Sequence, residues 1–178
     1  MASFISAGHH LRDSGAVGSG TQENLEAIKF RDIVVNYCKS FGLQVITDND
    51  NETLAQYLTR IKTGIGSVVV EFHFDAAANN TATGTTCIVG TDADRLDRSF
   101  AKELVDTTAR VLGIRNRGII TEAQSHRGRL GLMREQGIVA LLELCFISNP
   151  SDMAAYNANQ YTLGAEIAKI IKKYDDII

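Results

Sequence analysis

Apolar runs along the chain predict five β-strands. Short apolar or β-branched segments are typical of strands, and the continuous runs at 67–72 and 138–146 indicate strands buried on both faces. The five segments are 3–7, 43–47, 67–72, 85–89 and 138–146, the fourth being the weakest. Gly8 stops the first strand, and a loop rich in Gly and Ser follows over 8–20.

Apolar residues at helical spacing predict four helices between and after these strands. The first helix has the apolar stripe Ala27, Phe30, Val34, Tyr37 and Phe41, with Gly42 as its C′ residue, and the second has Leu54, Leu58 and Ile61 and ends near Gly64. The third helix has the stripe Leu96, Phe100, Leu104 and Val111 and is closed by Gly113. The last helix has the stripe Leu163, Ile167, Ile170 and Tyr174 and is capped by Ser151. Alternating strands and helices predict a single α/β domain. We expect a twisted, mostly parallel sheet of about six strands, flanked by helices on both faces.

Composition narrows the class of protein. The 178 residues suit one domain, and 44% apolar with 22% charged residues is ordinary for a globular protein. A net charge of −3 argues against general nucleic-acid binding. Three widely spaced Cys exclude a disulfide framework and favour a reducing compartment. No apolar run approaches a membrane span, and residues 1–6 lack the features of a secretory signal, so we expect synthesis in the cytoplasm.

Four residues with ligand-type side chains fall at related places in this scheme. His9 and His73 follow or end strands, Glu143 lies late in a buried strand, and Glu23 opens the first long helix. In open α/β sheets, sites form outside the carboxyl ends of the strands. Two imidazoles and a carboxylate, with a fourth position left to water, are the usual ligands of catalytic zinc, and a further carboxylate would be the general base. The residues permit this arrangement, although no HExxH helix is present.

Four segments, in order, resemble the zinc-dependent N-acetylmuramoyl-L-alanine amidases of the type 3 catalytic domain. GHHLRDSGA at 8–16 is similar to the Gly-His-Gly-Gly…Asp-x-Gly-Ala opening of that family, and Glu23 matches its glutamate ligand. EFHFDA at 71–76 is similar to Ser-Ile-His-x-Asn-Ala, with Gly84 matching the Gly that follows. LELCFISNP at 142–150 matches Val-Glu-x-Gly-Phe-x-Ser-Asn-Pro. Each segment alone is a weak signal, but together they are specific and span nearly the whole chain.

The resemblance implies a zinc ion held by His9, Glu23 and His73, and a water activated by Glu143. The implied reaction hydrolyses the amide between the lactyl group of N-acetylmuramic acid and L-alanine in peptidoglycan, with Zn²⁺ polarising the carbonyl. Asp13 matches a family Asp that could orient a histidine.

The chain also departs from the family pattern. The family has Gly at the position of His10, Asn at that of Asp75 and Gly at that of Cys145. His10 therefore competes with His9 as a ligand, and His9 is favoured because it directly follows Gly8. Asp75 keeps the shape of Asn but adds a charge near the site.

The sequence permits more than one role for several other residues. Glu71 shares a strand face with His73, so it is a partner of that histidine, a residue at the rim, or the true ligand in place of Glu23. His126 is an exposed loop residue or a substrate contact. The six Arg between 110 and 134 form a solvated surface or attract anionic wall polymer or stem-peptide carboxylates. Cys145 is better explained as a small core residue than as a nucleophile.

The chain resembles the catalytic module of a phage endolysin, and a cytoplasmic bacterial amidase or a domain cut from a longer lysin would fit almost as well. We therefore expect a single catalytic domain over 1–178 without a separate wall-binding domain, a monomer that acts on peptidoglycan, and release to the cell wall through a phage hole-forming protein. Two alternatives remain: a zinc peptidase of the same fold acting on stem or free peptides, and a non-catalytic relative that only binds the wall.

Overall fold

A computed structural model describes residues 2–125 and 127–177 of the chain. The strands are β1 (Ala2–Ala7), β2 (Val17–Gly18), β3 (Thr21–Gln22), β4 (Gln44–Thr47), β5 (Val68–Asp75), β6 (Thr85–Val89), β7 (Asn116–Thr121) and β8 (Ile138–Phe146). The helices are α1 (Glu23–Ser40), α2 (Leu54–Arg60), α3 (Arg95–Leu112) and α4 (Pro150–Asp175), with short 3₁₀ turns at Glu122–Gln124 and Gly131–Arg134.

Six of these strands form one sheet in the order β4-β1-β5-β8-β6-β7. Strands β4, β1, β5 and β8 are mutually parallel, β6 runs antiparallel to β8, and β7 is parallel to β6. The predicted α/β fold with a mostly parallel sheet of about six strands is therefore confirmed. Strands β2 and β3 form a separate two-stranded hairpin, in which β2 lies within the loop predicted at 8–20 and β3 directly follows that loop.

Helices cover both faces of the sheet, as predicted, but unequally. On one face a large core packs α1, α3 and α4 against the sheet through residues such as Phe30, Leu104 and Ile167. On the other face a smaller core involves α2 and the second 3₁₀ turn, with Tyr57 and Leu132 among its fully buried side chains. The second face is thus covered by one seven-residue helix and short turns. Polar side chains on that face can reach solvent near its end.

Three details of the secondary structure differ from the prediction. Strand β7 was not predicted, because as an edge strand it is only half-buried and its sequence, NRGIIT, holds just two adjacent apolar residues. Helix α4 is capped by Asn149 rather than Ser151: the Asn149 side chain accepts hydrogen bonds from the backbone N–H groups of Ser151 and Asp152 at 2.8 and 3.2 Å. Helix α2 ends at Arg60, before the predicted end near Gly64.

Two turn predictions are confirmed by backbone geometry. Gly42 follows the last residue of α1 and its cap with φ of 83°, and Gly113 closes α3 with φ of 66°. Both values lie in the left-handed region that favours glycine. Over 2–125 and 127–177, no helix combines the length and apolar character needed to cross a membrane.

Candidate active site

A row of polar side chains crosses the more thinly covered face of the sheet. In β5, Phe72 and Phe74 point into the three-helix core, so the alternation of a strand puts Glu71 and His73 on the opposite face. The register pairs Ser6 of β1 with Glu71, and His73 with Glu143 of β8. All four side chains are buried. Parallel strand order thus brings residues from three distant parts of the chain side by side.

Two further residues reach this row from the segments around it. His9 lies two residues beyond the end of β1, and its φ of 66° is in the left-handed region. That conformation costs an L-residue about 1–2 kcal/mol, and such backbone strain is typical of functional sites. Glu23 is the first residue of α1, where the helix dipole favours a negative charge.

His9, Glu23 and His73 form one compact cluster. Glu23 Oε2 lies 3.2 Å from His9 Nε2, and Glu23 Oε1 lies 2.8 Å from His73 Nδ1. One ligand atom from each residue falls within 4.8 Å of the others, so the three could hold a metal ion. Two imidazole nitrogens and one carboxylate oxygen form a donor set that suits Zn²⁺. These are the same three residues that the sequence analysis proposed as ligands.

Each histidine also has a carboxylate partner for its outer ring nitrogen. His9 Nδ1 lies 2.9 Å from Asp13 Oδ2, and His73 Nε2 lies 3.0 Å from Glu71 Oε1. Such partners fix the ring orientation and the tautomer of a metal-binding histidine. In both rings the nitrogen left for a metal is then the one that faces Glu23. Glu71 therefore contacts His73 on the side away from Glu23 and lies outside the group of His9, Glu23 and His73.

The charges of the cluster are strongly coupled. Burial would lower the pKa of His73, but hydrogen bonds to Glu23 and Glu71 outweigh it and raise that pKa to about 10. A hydrogen bond to Glu23 likewise raises the pKa of His9. Burial would raise the pKa of Glu23, yet its hydrogen bonds to both histidines hold it well below the ordinary value. The pKa values of the two histidines and of Glu23 therefore shift in opposite directions, as expected for a carboxylate held between two imidazoles.

Glu143 is a buried carboxylate with one free oxygen. Only 3% of the residue is exposed, and Oε1 lies 2.8 Å from a guanidinium nitrogen of Arg127. Among the described residues, no group donates a hydrogen bond to Oε2. Burial raises the pKa of Glu143 to about 7, although the charges of His73 and Arg127 oppose this rise. A carboxylate with a free oxygen and a pKa near 7 is suited to general-base chemistry.

Two glycines allow the cluster to pack so closely. A Cβ added at Gly8 would lie 2.3 Å from the His73 ring. One added at Gly15 would lie 2.6 Å from both Glu23 Oε2 and the His9 ring, and Gly15 also has φ of 60°. Any larger residue at either position would displace a proposed ligand.

The remaining predicted residues fall around the cluster. His10 lies outside it and lines a neighbouring pocket, where its Nδ1 accepts a hydrogen bond from the backbone of Arg12 at 3.3 Å. Asp75 lines a second pocket together with Glu143. Cys145 is fully buried against Met153, as expected of a core residue. His126 lies outside the described residues.

Sequence reasoning did not identify two contacts of the site. Arg127 lies in an irregular loop, and no periodicity or spacing connects it with Glu143. Ser6 donates a hydrogen bond to Glu71 Oε2 at 3.1 Å. Ser6 could have been noticed as a polar residue within the apolar strand of residues 3–7. Its pairing with Glu71, however, follows only from the register between the two strands.

Comparisons with known proteins relate the sequence and the fold of this chain to one family. A family model described as N-acetylmuramoyl-L-alanine amidase matches residues 4–173. A solved structure from Neisseria meningitidis, assigned as an N-acetylmuramoyl-L-alanine amidase, is similar with a TM-score of 0.79 and 25% identity, over 97% of this chain and 94% of that one. A search of curated proteins finds no significant match.

More distant structures share the same fold. An N-acetylmuramoyl-L-alanine amidase from Clostridium difficile 630 has a TM-score of 0.81 at 22% identity, covering 98% of this chain and 96% of the other. The catalytic domain of the CD27L endolysin, which targets Clostridia difficile, has a TM-score of 0.73 at 15% identity, with 97% of each chain covered. With the family model matching almost its whole length, the chain belongs to the N-acetylmuramoyl-L-alanine amidase family.

Proposed function

We propose that the protein is a zinc-dependent amidase that cleaves the bond between N-acetylmuramic acid and L-alanine in peptidoglycan. The observation that carries the proposal is the cluster of His9, Glu23 and His73 beside a buried carboxylate, Glu143, with one free oxygen. The donor set fits Zn²⁺, and both histidines have a carboxylate on the outer nitrogen. When bound there, zinc would polarise the scissile carbonyl and lower the pKa of a bound water to about 7.

The residues of the chain would then handle the protons of the reaction. Glu143 accepts a proton from the attacking water at its free Oε2, while the water oxygen bonds to the carbonyl carbon. As the C–N bond breaks, Glu143 passes the proton to the nitrogen of L-alanine, which leaves as an amine. The second product is the free carboxylate of the lactyl group. Asp13 and Glu71 keep the histidine rings oriented throughout.

The direct test is mass spectrometry of purified peptidoglycan after incubation with the protein, with and without a zinc chelator. We expect free stem peptides that begin with L-alanine, and no such product once the metal is removed. Cleavage within the peptide would identify a peptidase instead. Saturable binding to wall sacculi without any released product, from folded and zinc-loaded protein, would identify a wall-binding relative.

We further propose that the protein is made in the cytoplasm as a monomeric phage endolysin and reaches the wall through a hole-forming protein. This proposal is supported by the similarity of the fold to that of the catalytic domain of the CD27L endolysin. Expression in a susceptible bacterium tests it: lysis should require co-expression of a phage hole-forming protein. Lysis by the amidase alone would argue for its own route of export.

A further inference from the structure

Two pockets adjoin the cluster of His9, Glu23 and His73, and they differ in their charged side chains. The first, of about 360 Å³, reaches His9 and His73 and is lined by four carboxylates, those of Asp13, Asp48, Glu52 and Glu71. The second, of about 610 Å³, reaches Glu23 and Glu143 and is lined by Arg115, Arg117 and Arg127. We call this second cavity the arginine pocket. Three carboxylates also line the arginine pocket, those of Glu23, Asp75 and Glu143.

Two of the three arginines have no internal counter-charge. No carboxylate among residues 2–125 and 127–177 lies within 4.0 Å of the guanidinium of Arg115 or Arg117. Arg117 lies over the ring of Phe146 at 5.1 Å and donates a hydrogen bond to a backbone carbonyl at 3.3 Å. Both side chains belong to exposed residues. Their positive charge is therefore available to a ligand in the pocket.

The third arginine connects the pocket with the reaction. Arg127 pairs with Glu143 at 2.8 Å and lines both pockets. A guanidinium has five N–H donors, so it can bind an added carboxylate bidentately. An anionic group arriving in the arginine pocket would compete with Glu143 for Arg127.

The chemistry of the substrate indicates which part would enter. The carboxyl of muramic acid is consumed in the scissile amide, and the N-acetylated sugar is neutral. The remaining carboxylates of a muramyl-peptide therefore lie on the peptide side of the bond.

We propose that the arginine pocket binds a carboxylate of the stem peptide and so positions the leaving amine beside Glu143. This inference rests on the proposed function, because it takes the peptide side of the amide as the anionic side. Arginine is suited to this role because its planar guanidinium matches a carboxylate.

The test measures binding of two small probes to the full chain supplied with stoichiometric zinc. The probes are N-acetyl-L-alanyl-D-glutamate and its diamide, which differ only in their carboxylates, and calorimetry gives both affinities. We expect the acid to bind about tenfold more tightly than the diamide or better, since hydrogen bonds between charged groups are among the stronger ones. Combining Arg115→Ala with Arg117→Ala should remove that preference. Arg129→Ala, an exposed arginine of the same segment outside both pockets, is the matched control and should retain it.

Equal affinity for the two probes, or an undiminished preference in the double variant, would overturn the proposal. Measuring the zinc content of each variant shows whether a change in probe binding comes from the missing arginines or from lost metal. The peptidoglycan digest tests the proposed function independently. Acid-selective binding without amide cleavage would sink the amidase reaction alone. Equal cleavage, by wild type and double variant, of muramyl-peptides with free-acid and with amidated stems would sink the pocket alone.

Discussion

His73 and Glu71 lie two residues apart on β5, and the outer ring nitrogen of His73 contacts Glu71 Oε1 at 3.0 Å. The other carboxylate oxygen of Glu71 accepts a hydrogen bond from Ser6. Glu71 is therefore held from both sides, and it keeps Nδ1 of His73 facing Glu23. The amidase motif that this segment resembles, Ser-Ile-His-x-Asn-Ala, has Ser at the position of this glutamate.

We predict that Glu71→Gln weakens zinc binding by about 10- to 100-fold, because it removes the charge that fixes and polarises His73. Competition with a chromophoric chelator measures this affinity. Glu52→Gln is the control: Glu52 lines the same pocket but pairs with Arg60 at 2.8 Å. Unchanged zinc affinity in Glu71→Gln would show that Glu71 does not support the metal.

Substitutions at Glu143 and at His73 should differ in their effect on zinc content. We expect Glu143→Gln to keep stoichiometric zinc but lose activity by about 10²- to 10⁴-fold, because the amide cannot accept the proton of the attacking water. His73→Ala should lose metal and activity together. Metal analysis alongside stem-peptide release distinguishes the two results. Activity near the wild-type level in Glu143→Gln would remove Glu143 as the base, and retained stoichiometric zinc in His73→Ala would contradict its assignment as a ligand.

The pH profile should report the ion pair between Arg127 and Glu143. A general base acts when deprotonated, so activity should rise with pH as Glu143, whose pKa burial raises to about 7, loses its proton. The charge of Arg127 lowers this pKa, as a bound metal ion would. Arg127→Ala should therefore move the acidic limb of kcat/KM to higher pH. Arg129→Ala removes an exposed arginine of the same loop and should leave the acidic limb of kcat/KM unchanged. If Arg127→Ala also left this limb unchanged, the charge of Arg127 would not influence the group whose titration limits activity.

The sequence predicted the central sheet and the grouping of His9, Glu23 and His73 better than the surrounding contacts. His9 and His73 could be placed because each follows or ends an apolar strand, and parallel strands end at the same edge of a sheet. Arg127 could not be placed, because its loop has no periodicity that fixes a direction. Strand β7 was missed for a related reason: an edge strand with one face in solvent carries little apolar signal.

Gly8 offers a test of how tightly the cluster is packed. Gly8→Ala would put a Cβ 2.3 Å from the His73 ring, so the imidazole must shift away from Glu23. We expect a large loss of zinc affinity and activity, with the free energy of unfolding lowered by about 1–3 kcal/mol, as in other overpacked sites. Gly64→Ala is the matched control, because a Cβ there meets nothing within 4 Å and no left-handed φ is required. Denaturant unfolding, zinc titration and stem-peptide release compare the two variants. Wild-type zinc affinity in Gly8→Ala would mean that the His73 ring does not need its present position to bind metal.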